Sequence, residues 1–165
     1  MPIQVDQSGK IEDTAKDTVL ALSNGQQYAL LIPKKVKRQI QELFRQNGRG
    51  RQFVINLFSF ALYELLKKTA VKSSVIIDLE YPGQDGLIST LVRWWLKEDQ
   101  RVVDITFSRI GESPRVHYLA LSVLKKKRKP EFILTLGYIL KKQKDRWALK
   151  RMSFNPGRRS KPRSS

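Results

Sequence analysis

The sequence predicts one α/β (or α+β) domain: an N-terminal β-hairpin and two helices, then a β-α-β-α unit closed by a short C-terminal strand or hairpin. Three observations carry this reading. The chain has 165 residues, the size of one ordinary domain. Hydrophobic residues make up 41% of it, too many for a disordered polycation. The apolar period also switches between two and about 3.6 residues along the chain, as strands alternating with helices require.

Residues 1–16 are polar, mixed in charge and without a period, and are expected to form a flexible arm. The domain is placed at 17–154. It begins with two apolar runs flanking Asn24-Gly25, a dipeptide that accepts the positive φ values of a tight hairpin turn, so a hairpin is expected over Thr18–Ile32. Pro33 then opens a helix whose Val36, Ile40, Leu43 and Phe44 share one face. Lys34, Lys37, Arg38, Gln41 and Arg45 are expected on its wet face, and Asn47-Gly48 ends it. The next run, 53–68, is apolar nearly all round and reads as a buried helix. That composition argues against a helix-turn-helix, whose second helix needs polar side chains to reach base edges.

After Lys72 come a strand over 73–81 and a helix over 86–99 with Leu87, Ile88, Leu91, Trp94 and Trp95 on its buried side. A second strand follows over 101–109. Ser113-Pro114 suits a helix cap and first residue, and this helix is expected to continue into the cations 125–129. The run 132–142 is ambiguous between strand and helix, with Gly137 marking a bend. A last strand is expected over 144–154, and a disordered basic tail over 155–165.

Charge separates the function classes. Lys and Arg number 32 against 15 acids, a net +17. The cations are clustered: residues 33–72, 112–130 and 131–165 carry net charges of +8, +5 and +8, whereas 73–111 holds six acids and is net −2. A field of this sign attracts a polyanion by releasing its condensed counterions. The leading expectation is therefore a nucleic-acid-binding protein, for DNA or RNA, with weak sequence specificity. Phosphates would be gripped by Lys34, Lys35, Arg38, Arg49, Arg51, Lys125, Lys126, Lys127, Arg128, Lys129, Arg158 and Arg159. An anionic membrane is a further candidate partner for the basic amphipathic helix 33–46. Trp147, beside Arg146 and Lys144, is a candidate base-stacking residue. With no cysteine, no secretory leader and no apolar run near the roughly 20 residues that span a bilayer, a cytoplasmic protein is expected.

The acidic stretch supports an alternative. Strand alternation puts Asp78 and Glu80 on one face, and Asp104 on the matching face of the second strand. If the two strands are parallel neighbours, the three carboxylates meet and could hold Mg²⁺ or Mn²⁺ for nuclease or resolvase-like chemistry. Without that metal no cofactor is implied. His117 would be a plausible general acid/base beside a scissile phosphate. Acids on adjacent strands under a βαβ unit are reminiscent of ribonuclease-H-type folds in the generic sense shared by many α/β domains. An exposed polar strand face, paired with Arg93, Arg101 or Arg109, would produce the same pattern. The Asp78–Asp104 carboxylate separation decides between the readings: about 4–6 Å favours a shared metal, and beyond about 10 Å only binding survives.

Overall fold

The strand at the centre of the protein is β1 (Ile3–Ser8), antiparallel to β2 (Thr18–Ser23) on one side and parallel to β4 (Val75–Asp78) on the other. The computed structural model describes residues 2–23, 26–111, 114–143 and 146–147. Asn24-Gly25, Ser113, Arg158, Arg159 and the whole 155–165 tail lie outside them, as does most of the strand expected over 144–154. The flexible arm expected over 1–16 is corrected: from Ile3 to Ser8 it is a central strand. Its polar residues hid the period because they are buried, with Asp6 only 5% and Gln7 only 8% exposed. Gly9 turns the chain out of β1 at φ 77°, and a Cβ there would lie 2.3 Å from the Asp17 carbonyl oxygen. Only glycine fits.

The expected hairpin forms between β2 and β3 (Tyr28–Ile32), which pair Thr18 with Ile32 and Leu22 with Tyr28. One sheet of six strands results, in the order β5-β4-β1-β2-β3-β6, with β5 (Ile105–Ser108) and β6 (Phe132–Ile133) at its edges. The β4 and β5 strands are parallel neighbours, as the strand–helix–strand pattern requires.

Three helices and a short fourth one near the C-terminus, Leu136–Gln143, lie on one face of the sheet. α1 (Lys34–Gln46) buries Val36, Ile40, Leu43 and Phe44, and α2 (Phe53–Lys68) is buried along nearly its whole length. α3 (Asp85–Glu98) buries Ile88, Val92, Trp95 and Leu96. The helix is thus rotated from the expected face, and Leu87 and Trp94 are about half exposed, at 50% and 46%. This layer holds the larger core, in which Phe60 meets the rings of Trp95 and Trp147 at 6.0 Å each. Trp147 is 3% exposed and packs edge-on against Phe44, so it is not available as the stacking residue expected of it.

Lys37, expected on the wet face of α1, is instead fully buried. Its Nζ donates to the Lys10 and Asp13 carbonyls and to Thr18 Oγ1, at 3.0, 2.6 and 3.0 Å. It thereby ties the connection between β1 and β2 to α1. Burial lowers its pKa to about 8, against the pull of Asp13 and Asp17.

The other face of the sheet carries α4 (Pro114–Leu124), whose Val116, Leu119, Ala120 and Val123 pack on Val19, Ala21 and Ala29. α4 stops at Leu124, before the cation run: Lys126 takes φ 60°, and the N–H groups of Lys126 and Lys127 donate to the Val123 and Ser122 carbonyls. That is a Schellman closure built without glycine. The ambiguous run 132–142 divides into β6 and α5 (Leu136–Gln143), and Gly137 lies inside the helix rather than at a bend. No helix among the described residues is long and apolar enough to cross a membrane.

Candidate metal centre

Two parallel strands end side by side at an acidic cleft. Val5 is level with Ile77 across the β1–β4 ladder, so Asp6 and Asp78, one residue further along each strand, emerge together on the α4 side of the sheet. Glu80 follows just beyond the end of β4. Carboxylate oxygens of Asp6, Asp78 and Glu80 lie within 4.8 Å of one another. Three hard oxygen donors this close fit a divalent cation such as Mg²⁺ or Mn²⁺, and the trio could hold one.

Each strand acid is fixed through one oxygen. Asp6 Oδ1 accepts from the Gln7 N–H and Asp78 Oδ1 from the Ile110 N–H, both at 2.8 Å. The second Asp6 oxygen lies 3.2 Å from Nδ1 of His117, in the first turns of α4. The Glu80 N–H donates to the Asp78 carbonyl at 3.0 Å, and next to it the Tyr81 hydroxyl is 3.1 Å from Gln7 Nε2 on β1 while its ring packs edge-on against Phe58. The cleft is open, about 380 Å³, and lined by Asp6, Gln7, Asp78, Glu80, Arg109 and His117.

Crowding shows in the protonation of the acids. Burial pushes the Glu80 carboxyl up to about 7, with a hydrogen bond to Asp78 and the negative charges of Asp78 and Asp6 adding to it. Asp6 is raised as well, mainly by burial, with the Gln7 N–H and His117 partly opposing the shift. Carboxyls that resist ionising together are poised to gain from a cation among them.

Of the three acids expected to meet, two do. Asp104 is not the third: its carbonyl accepts from the Val75 N–H at 2.8 Å, at the start of β4, while Asp78 at the other end pairs with Ser108. Four residues of strand, about 13 Å, separate the levels of Asp78 and Asp104. The two strands are neighbours on matching faces as expected, but parity fixes the face and says nothing about the level. By the separation set out above, the site drawn with Asp104 does not form. Asp6 replaces it, a residue hidden by reading β1 as an arm. The signal that could have found it is the alternation Ile3, Val5 against Gln4, Asp6, closed by Gly9.

The expected phosphate-binding cations fall on both layers of the molecule. Lys34, Lys35 and Arg38 are exposed on α1, with Arg51 beyond it, across the sheet from the acidic cleft. Arg49 is half-buried, donating to Gln52 and to the Trp147 carbonyl and standing over the Phe44 ring. Lys125, Lys126, Lys127 and Lys129 are exposed just past the C-terminus of α4, on the cleft's side of the sheet. Arg128 is held between Gln27 and Glu131. Among the described residues, Arg128 is the one of these cations in an ion pair.

No family model matches the chain, and neither a curated protein nor a solved structure does.

Proposed function

We propose that this protein binds nucleic acid through its clustered cations and cleaves a phosphodiester bond at a divalent metal held by Asp6, Asp78 and Glu80. The observation that supports this best is the convergence of three carboxylates at the ends of parallel β1 and β4, inside a chain of net charge +17. A purely electrostatic binder has no use for anions where its ligand would lie, because they repel phosphate unless a cation intervenes. Acids on adjacent strands of one sheet remain reminiscent of ribonuclease-H-type folds, carried by β1 and β4 instead of β4 and β5.

The residues divide the work. Asp6 and Asp78 are each pinned through Oδ1 by a main-chain N–H group, and the second Asp6 oxygen faces the cleft beside His117 Nδ1. Glu80 completes the donor set, and its raised pKa falls as positive charge arrives. A divalent cation bound there supplies Lewis-acid polarisation of a phosphoryl oxygen and a more acidic bound water. Arg109, lining the same cleft, faces the anionic substrate, and Asp6 orients the His117 ring at its edge.

Substitution tests the reading. Asp78→Asn should cut Mg²⁺-dependent cleavage of DNA or RNA by more than the roughly 10–100-fold that loss of an outer-shell partner costs, and should leave binding intact or tighter. Unchanged cleavage by Asp78→Asn and Asp6→Asn variants would falsify it. A second reading, a binding module without chemistry, is favoured by the exposed Lys125, Lys126, Lys127 and Lys129, which form no ion pair among the described residues. Salt-sensitive binding by the wild-type chain with no cleavage under any divalent cation would select it.

A further inference from the structure

One large aromatic side chain stands in the open beside the acidic cleft. Tyr118, on α4, is 64% exposed. Its neighbour His117 lines the cleft and touches Asp6, and the two rings are 5.8 Å apart. The core does not use Tyr118, since α4 is anchored by Val116, Leu119, Ala120 and Val123 on its opposite side. At helical spacing, Lys125 follows seven residues later on the same crest, about 10 Å along the axis, where the exposed cations begin. Beside α4 the sheet is open: Ile76 is half-buried, and Thr106 and Ser108 are exposed.

We propose that Tyr118 is a stacking platform for an unpaired base, so that the preferred ligand of this site is single-stranded nucleic acid, or a single-stranded segment of a larger one. The inference rests on the nucleic-acid reading above and names its substrate class. A phosphate at Asp6, Asp78 and Glu80 places the adjoining base within reach of a ring one helical position from His117, and the strand then continues along the crest of α4 toward Lys125, Lys126 and Lys127. Charge complementarity selects the occupant, because an apolar partner would have to bury those lysines unpaired. In a duplex both faces of each base are already stacked, so the exposed ring has nothing to receive. The π-face is common to DNA and RNA, and the platform does not distinguish them.

Binding of labelled oligothymidylate, oligouridylate and a blunt duplex of equal length by the full chain, with Ca²⁺ in place of Mg²⁺ to fill the carboxylate site and at low salt, tests the proposal. Tyr118→Ala should weaken both single strands about tenfold and leave the duplex little changed, while Tyr118→Phe should bind as the wild type does. The side chain lies outside the core, so an unchanged melting temperature for Tyr118→Ala is expected and secures the comparison. Equal affinity of Tyr118→Ala and wild type for single strands, an equal loss on the duplex, or no binding of single strands by the wild type each overturns it. Wild-type protein that binds the single strands through Tyr118 but never cuts them with Mg²⁺ would sink the catalytic reading and leave this one standing.

Discussion

Glu80 ties the chemistry of the cleft to the stability of the fold. Its carboxyl titrates near 7 in the folded chain and near 4.5 when free of its surroundings. Between those values the folded state keeps a proton that the unfolded state has lost, so stability from this group is fully present below about 4.5 and declines as pH rises through 7. The melting temperature of the metal-free protein should therefore fall between pH 5 and pH 7.5 by more than that of the Glu80→Gln variant, in scans run side by side. Identical slopes would show that Glu80 is not held protonated by burial and by Asp78. At this scale the sequence was legible where alternation speaks: Asp78 and Glu80 were readable as a pair on one face. It was silent on Asp6 and Lys37, because a buried acid and a buried lysine look like surface residues until their partners are known. Those partners, His117 for Asp6 and the Lys10 and Asp13 carbonyls for Lys37, lie 111, 27 and 24 positions away in the chain.

The element that decides the site is β1. The hairpin of β2 and β3, the amphipathic α1 and the buried α2 were all readable from Asn-Gly spacing and apolar periodicity, since each depends on short-range pattern. β1 was not, because two of its three buried side chains, Asp6 and Gln7, are polar and break the apolar signal. The level of Asp104 was unreadable for a related reason, as strand parity gives the face and only the pairing register gives the height. A strand in mid-sheet cannot be removed like an arm. Deleting residues 2–8 strips β2 and β4 of a shared partner and exposes Leu20, Leu22, Val75 and Ile77, all 1% exposed or less. The truncated chain should lose its cooperative thermal transition and its dispersed amide spectrum. A milder probe, Gly9→Ala, forces a Cβ against the Asp17 carbonyl at a positive φ and should cost about 1–3 kcal/mol in denaturant melts. Wild-type stability in either variant would restore the arm.

At the scale of the whole molecule, the clustered cations among the described residues are partitioned by layer. The sheet separates Lys34, Lys35 and Arg38 on the α1 side from the lysines that follow α4 and share their side with the acids. The sequence showed that the cations are clustered, but a one-dimensional map could not show that the clusters face apart. On the proposed function, one strand lying in the cleft would run toward the α4-side lysines, whereas engaging both layers would need a ligand that wraps the sheet edge or a second ligand molecule. Salt dependence distinguishes the two, because each neutralised phosphate contributes about −0.7 to the log–log slope for a single strand and about −0.9 for duplex DNA. Binding confined to the α4 side, through three or four cations, predicts a slope of about −2 to −3 on a short single strand, and charge reversal of Lys34 and Lys35 should leave it unchanged. Reversal of Lys125 and Lys127 should flatten it by about one and a half units. If the α1 substitutions flatten the slope equally, the ligand spans both layers and its path must leave the cleft around β5 or β6, the two edges of the sheet. If neither pair matters, those four lysines are not the contacts, and binding resides on other cations of the chain.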